Sequence, residues 1–546
     1  MTTSGAETGT VAAAIAACVA DLGIRRVYGL PGEDHLLLLH ELELAGCTYV
    51  PARDESAACI MAAAESQATG LPGLAVVTLA PGITNALNGL ASAFLDHVPL
   101  LVVSGQHDPD RRPLIVRQSL DSHALVAPVT KWRATIGGHV HQLLAKALDA
   151  AVAPPAGPVF LELPPSVARS PALDGAPDWR PLLAGTDRPG PPVAPPGALA
   201  PVREALGAAR RPVVLVGGRC PPDAGPPIAR LAAALRAPAF TTPAAKGTLR
   251  DGDPFLAGTF LNGNLEAALL ERADVVLAVG LDAYDFFNGP WRYGATILAV
   301  EPDATSVQRV LPARYQVVGD PRTLCEDLLA GELAGASAWE PGDVAAYRAG
   351  VLERFSLDDE ALTIPAAIVD ARSLLPDDTI VTVDAGFGKP LHALLWAARC
   401  PNACFSSQGL STMGYAIPAA NALKLVWPQR TVVAFLGDGS LYLRASEIGV
   451  AAEQGVAPIY VVWSDACLSQ IAVKQDRQSL RRVGVDVAAS SCERIAAAFG
   501  GVGWDVDSRA SFRDALREAM ASRAPALIGA RVDQRSRASW FELVRG

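Results

Sequence analysis

Short, mainly apolar runs rich in β-branched residues alternate along this chain with Ala- and Leu-rich stretches of helical period. Leu74–Leu79 (LAVVTL) and Pro99–Val103 (PLLVV) open the series, and Pro212–Val216 (PVVLV), Val275–Val279 (VVLAV) and Thr296–Val300 (TILAV) continue it. Thr379–Val383 (TIVTV), Thr431–Leu436 (TVVAFL) and Ala457–Trp463 (APIYVVW) close it. A run that is apolar at every position predicts a strand buried on both faces, the mark of a parallel sheet covered by helices. Two stretches interrupt the pattern. Residues 169–200 are crowded with Pro and Gly and cannot continue a helix or a central strand. Residues 331–357 form a second connection, partly helical by composition. They leave three segments of domain size, 1–170, 190–332 and 358–546. The expected fold is therefore α/β, with three consecutive parallel-sheet domains. Ligands of such sheets bind beyond the carboxyl ends of the strands, so the residues just after each run are where chemistry is expected.

Composition narrows the classes. Half of the 546 residues are hydrophobic and 19% are charged, which excludes wholesale disorder. The formal charge of −10 argues against nucleic acid or an anionic membrane as partner, though not against a small anion bound locally. No stretch approaches the ~20 apolar residues of a membrane span, and Met1–Thr10 lacks the features of a secretory signal, so a cytoplasmic protein is expected. Nine scattered cysteines without a CxxC pair or a histidine cluster read as buried thiols rather than as a zinc site.

The strongest chemical signal is Gly437-Asp438-Gly439-Ser440, directly after TVVAFL. A carboxylate between two glycines at a strand exit can meet a cation while the backbone approaches a ligand closely. The next strand, APIYVVW, ends in Ser464-Asp465-Ala466-Cys467. If these strands are neighbours, Asp438 and Asp465 emerge at one edge and suit an octahedral Mg²⁺ that also holds phosphates. Taken alone, the same residues would also serve as a tight turn and a helix cap.

The spacing of these two motifs, about two dozen residues, resembles that of the thiamine diphosphate (ThDP) enzymes, specifically the acetolactate synthase-like group. The resemblance implies ThDP and Mg²⁺ as cofactors, with Asp438, Asp465 and the carbonyl of Cys467 on the metal. Ser464 departs from the family's usual Asn-Asn pair. Arg53-Asp54-Glu55-Ser56-Ala57 resembles the family's RHEQGA turn, whose glutamate activates the cofactor through N1′ of its pyrimidine ring; without that context Glu55 would read as a first-turn helix glutamate. Ala80-Pro81-Gly82-Ile83-Thr84-Asn85-Ala86 resembles GPGATNA, which implies that Pro81 and Asn85 lie at the cofactor, and Gln118 sits where the group places an active-site glutamine. Ser407–Gly414 resembles SGGLGTMG, which makes Met413 the prop under the bent cofactor and Ser411 its neighbour on the pyrimidine ring.

Other positions depart from the family. Asp384–Lys389 (DAGFGK) lacks the Gln-His pair that often touches the diphosphate, so the amides of Gly388, Gly439 and Ser440 would have to serve. The turn Gly280–Asp285 has no arginine, so FAD is not expected. The tryptophan that selects a larger second keto acid is missing from Gln470–Gln475. Glu33 and His35 follow a strand where some decarboxylases keep an acid near the substrate.

The resemblance implies decarboxylation of a 2-oxo acid, most often pyruvate, with ligation to a second carbonyl. It also implies a homodimer as the least active unit, and a homotetramer is expected. The rival expectations are a lyase or acyltransferase acting on a non-pyruvate donor in secondary metabolism, and a scaffold subunit without catalysis.

Overall fold

The structure, a computed structural model, describes residues 9–178, 194–286, 288–304, 310–331, 333, 337–355 and 360–545. Much of the Pro/Gly-rich connection at 169–200 therefore lies outside the described residues. Of the second connection, the predicted helical part is present as helix Asp343–Glu353.

Three six-stranded sheets carry the described chain, and every strand pair in them is parallel. The first contains β1 (Arg26–Gly29), β2 (Thr48–Pro51), β3 (Gly73–Val77), β4 (Leu100–Gly105), β5 (Trp132–Thr135) and β6 (Pro158–Leu163), in the order β2-β1-β3-β4-β6-β5. The second contains β7 (Pro212–Val216), β8 (Ala239–Thr241), β9 (Leu256–Thr259), β10 (Val275–Val279), β11 (Thr296–Glu301) and β12 (Ala313–Val318), in the order β12-β11-β10-β7-β8-β9. The third contains β13 (Ile380–Val383), β14 (Cys404–Phe405), β15 (Val432–Gly437), β16 (Ile459–Ser464), β17 (Val502–Val506) and β18 (Ala526–Arg531), in the order β14-β13-β15-β16-β18-β17.

The central strands β3, β4, β7 and β10 are buried at every position, as continuous apolar runs require. Boundaries shift where a polar partner outbids the ladder. The run LAVVTL stops pairing at Val77, because the Thr78 hydroxyl (2.7 Å) and the Leu79 amide (2.8 Å) donate to the carboxylate of Asp34 instead.

The chain groups into two compact units. One comprises 1–189, 409–429 and 444–457; the other comprises 190–408, 430–443 and 458–546. The third sequence segment thus contributes to both. Within the first unit, helix Ala416–Val426 packs on helix Glu55–Thr69. Alanines on both helices (Ala416, Ala419 and Ala420; Ala57, Ala58 and Ala62) are buried, and side chains this small let helix axes approach closely. The sheet core of the first unit is built from residues of β1, β3, β4 and β6 and their covering helices. In the second unit, each of the two sheets has its own apolar cores.

No helix among the described residues is long and apolar enough to cross a membrane. All nine cysteines are unpaired, and seven of them are buried.

Candidate active site

The first unit holds the carboxylate set. Asp54 caps helix Glu55–Thr69, its side chain accepting from the Ala57 amide at 2.9 Å, while Arg444 pairs with its other oxygen at 2.5 Å. That cap starts the helix at Glu55 and buries the glutamate side chain, which is 3% exposed. Asn85 Nδ2 donates to Glu55 Oε2 at 3.0 Å. The other oxygen, Oε1, lies beside Gly82, where an added Cβ would come within 3.1 Å of it. Glycine there keeps that oxygen approachable. Pro81 is the first residue of helix Pro81–Leu95, entered through Ala80 in the left-handed region (φ 48°). A non-glycine residue held there is strained, and such strain clusters at functional turns.

The loop carrying Ser411 and Met413 belongs to the same unit and is tied to the same helix. The Gly409 amide donates to Asp96 Oδ1 at 2.6 Å, and Thr412 Oγ1 donates to Asn88 Oδ1 at 2.9 Å. Ser56 Oγ reaches that same Asn88 oxygen at 3.4 Å, so Asn88 links the residue after Glu55 to the residue before Met413. Ser411 is left-handed (φ 52°), and Met413 stands 37% exposed. Sequence reasoning missed Asn88; its position two turns into an amphipathic helix gave no signal. It also missed Glu447, whose Oε1 accepts from the Arg53 amide at 2.9 Å. Burial pushes the Glu447 carboxyl up to about 7, against the Arg53 amide that favours its charge.

A pocket of about 820 Å³ opens in this unit, lined among others by Glu33, His35, Gln106, Arg111, Arg117 and Gln118. His35 is buried within its own turn: Nε2 accepts from the Gly32 amide at 2.9 Å, and Nδ1 faces Asp34 Oδ1 at 3.4 Å. Burial raises the Asp34 carboxyl, but hydrogen bonds from His35, Thr78 and Leu79 hold it below the usual carboxylate range. Gln118 lies on the exposed segment after β4, in a left-handed conformation (φ 57°).

The second unit holds the acidic strand ends. β13, β15 and β16 are adjacent, so the residues after them line up at one edge. Asp438 begins helix Asp438–Arg444; its Oδ1 accepts from the Gly439 amide (2.8 Å) and its Oδ2 from the Ala466 amide (2.8 Å). Asp465 accepts from the Cys467 amide at 3.2 Å and from the Ser469 hydroxyl. The Cys467 carbonyl stays out of the two backbone bonds flanking it, Leu468 N–H to Val485 and Val487 N–H to Ala466. Ser440 Oγ donates to Asp384 Oδ1 at 2.8 Å, joining the exits of β13 and β15. Gly388 opens helix Gly388–Leu395, and a Cβ there would stand 2.6 Å from the Trp463 indole nitrogen.

Electrostatics mark this edge as cation-seeking. Burial, and then the Asp438 charge, push the Asp465 carboxyl up to about 6, although the Ser469 hydroxyl opposes it. Burial likewise raises Asp438, against the amides of Gly439, Ala466 and Asp465. A buried and a half-buried carboxylate that repel each other are relieved by a hard cation. Among the described residues no group of three or more His, Cys, Asp or Glu side chains is arranged to hold a metal ion. A cation held by these two carboxylates would need further ligands from the main chain or from a bound molecule.

Comparison with known proteins identifies the family. The family "Thiamine pyrophosphate enzyme" matches in three parts: its N-terminal TPP binding domain at residues 9–125, its central domain at 199–328 and its C-terminal TPP binding domain at 387–530. A probable 2-ketoarginine decarboxylase of Pseudomonas aeruginosa is 30% identical over 476 residues, covering 85% of this chain and 84% of that protein. An acetolactate synthase isozyme 3 large subunit of Escherichia coli is 28% identical over 527 residues (92% and 90%). An acetolactate synthase of Bacillus subtilis is 29% identical over 540 residues (94% and 92%).

Proposed function

This chain belongs to the thiamine pyrophosphate enzymes, in their acetolactate synthase-like group, and on that footing we propose that it decarboxylates a 2-oxo acid, pyruvate first, and joins the remainder to a second carbonyl. The observation that carries this reading is Glu55, a buried carboxyl with Asn85 fixing one oxygen and Gly82 leaving room at the other. ThDP, when bound, supplies the electron sink for loss of carbon dioxide. Glu55 would hold the proton shared with the pyrimidine N1′, and Asn85 would keep the carboxyl in the orientation that needs. Met413 would support the ring from beneath, with Ser411 beside it and Pro81 shaping the turn.

Asp438, Asp465 and the Cys467 carbonyl would hold Mg²⁺, and the amides of Gly388 and Ser440 would face the diphosphate. The Gly439 amide already donates to Asp438, so it contributes less than its place in the motif implies. Gln118, together with Glu33 and His35, would line the substrate's approach.

A larger donor is the second reading. The pocket of about 820 Å³, with three arginines and a glutamate among its lining residues, exceeds what a three-carbon acid fills. The likeness to a probable 2-ketoarginine decarboxylase points the same way. FAD forms no part of the proposal. The ends of β7, β10 and β11 bring together Asp282, Asp285, Glu301 and Asp303, with Arg219 pairing Asp282 and Asp303, a poor setting for a dinucleotide's phosphates.

The test follows carbon dioxide release from pyruvate with and without ThDP and Mg²⁺ and identifies the product. Cofactor-dependent release with acetolactate formed supports the first reading. No release from pyruvate, with ThDP binding established by titration in the same sample, overturns it in favour of a larger donor.

A further inference from the structure

The second unit contains a pocket of about 330 Å³ that none of the cofactor residues above lines. It opens beside the carboxyl ends of β8 and β9, against helices Asp343–Glu353 and Ile364–Leu374 and the 394–399 segment. Four cationic side chains, Lys246, Arg348, Arg372 and Arg399, line it together with a single carboxylate, Asp251.

The positive charges are incompletely matched. Asp251 is paired with Arg348 at 3.0 Å. Lys246 Nζ donates to Thr259 Oγ1 (3.0 Å) and to the Ala393 carbonyl (2.7 Å), both neutral, and no carboxylate lies within ion-pair distance of it among the described residues. Desolvation lowers the Lys246 ammonium pKa, and the charge of Asp251, which Arg348 already pairs, only partly opposes it. Arg372 turns one nitrogen to the carbonyls of Leu375 and Pro376 (both 2.8 Å), while its buried Nε finds no acceptor. Its guanidinium lies 4.9 Å over the Trp396 ring. Arg372 and Arg399 share one partner, Asp377, which does not line the pocket.

The rest of the wall is apolar, from Leu256, Val351, Leu394 and Trp396. A pocket with apolar walls and a few convergent cations suits a small organic anion, its charged group on the cations and its body against the rings and aliphatic chains. We propose that this pocket binds such an anion, an apolar or planar body bearing one phosphate or carboxylate, at a site separate from that of the cofactor. Its volume takes a body of about ten to twenty heavy atoms. Lys246 and Arg399 meet the anionic group, and Val351 and Leu394 meet the body.

Titration calorimetry on the ThDP- and Mg²⁺-loaded enzyme tests this, because the loaded cofactor keeps the probes out of the diphosphate site. The probes are phenyl phosphate, inorganic phosphate (the anion alone) and benzyl alcohol (the body alone). Phenyl phosphate binds saturably and more tightly than either fragment. Lys246→Met and Arg399→Glu each weaken it by about tenfold or more, as expected for loss of a charge-assisted contact. Arg399 is half exposed, so its variant keeps the test decisive even if Lys246→Met folds poorly. Absence of saturable phenyl phosphate binding overturns the proposal. So does equal affinity for inorganic phosphate, or unchanged affinity in a folded Arg399→Glu protein.

Discussion

At the scale of single residues, the proposed chemistry rests on one carboxyl and its setting. Glu55 is held by Asn85 and buried at a helix start, so Glu55→Gln keeps the shape and a hydrogen bond but removes the acid. Turnover is expected to fall by at least about a hundredfold, the weight of a general acid–base group, while ThDP still binds. Steady-state rates together with a fluorescence titration of ThDP check both halves; turnover like that of the wild type would sink the assignment of Glu55. The Asn88 oxygen receives both Ser56 and Thr412 and so ties the Glu55 turn to the Met413 loop.

At the scale of elements, the helix that starts at Glu55 is set by its contact with helix Pro81–Leu95. Gly89 on the second helix leaves no room for a side chain: an added Cβ would stand 2.5 Å from Cys59 Cβ and 2.6 Å from the Ser56 carbonyl oxygen. Gly89→Ala must push the two helices apart, costing about 1–3 kcal/mol by overpacking. Because Ser56 follows Glu55, turnover should drop together with stability. Chemical unfolding and rates measured on the same variant check this, and a variant as stable as wild type would mean that the helices separate freely.

At the scale of the whole molecule, two predictions concern charge and association. Glu301 is fully buried, and neither carboxylate oxygen meets a donor in good hydrogen-bond geometry. Burial lifts its pKa from the ordinary 4.5 to about 8, against the pull of Arg219, and lifts Asp285 to about 7. The folded protein thus holds protons that the unfolded chain has released, so stability falls as pH rises from about 4.5 to about 8. Glu301→Gln removes one such group, and its melting temperature should drop less than that of wild type between about pH 6 and about pH 9. Thermal scans at the two pH values decide it.

The second prediction follows from Leu114 and Val116, which stand 83% and 92% exposed on the segment after β4. Neighbouring apolar side chains left open to water are expected to meet a partner, here a second copy of the chain. Light scattering should give a mass of at least twice the chain, and Val116→Asp should shift the protein towards monomer with loss of activity. A wild-type protein that is monomeric and fully active would refute the expectation that a dimer is the least active unit.

Much of the fold was legible in the sequence because parallel strands buried on both faces carry their signal locally. Every run singled out there is a strand, within two residues at each end. Short edge strands such as Cys404–Phe405 were not legible, since two residues make no pattern. By itself the sequence determined the order of strands and helices, the family, and which residue types stand at each strand exit, because these depend on neighbours along the chain. Only the tertiary structure decided that β15 and β16 lie side by side, which turns Asp438 and Asp465 into a pair. It alone decided that Asn88 joins the Glu55 turn to the Met413 loop, and that four cations from distant segments surround one pocket. Those positions lie from 27 to 324 residues apart in the chain, and only the packing of buried faces brings them together.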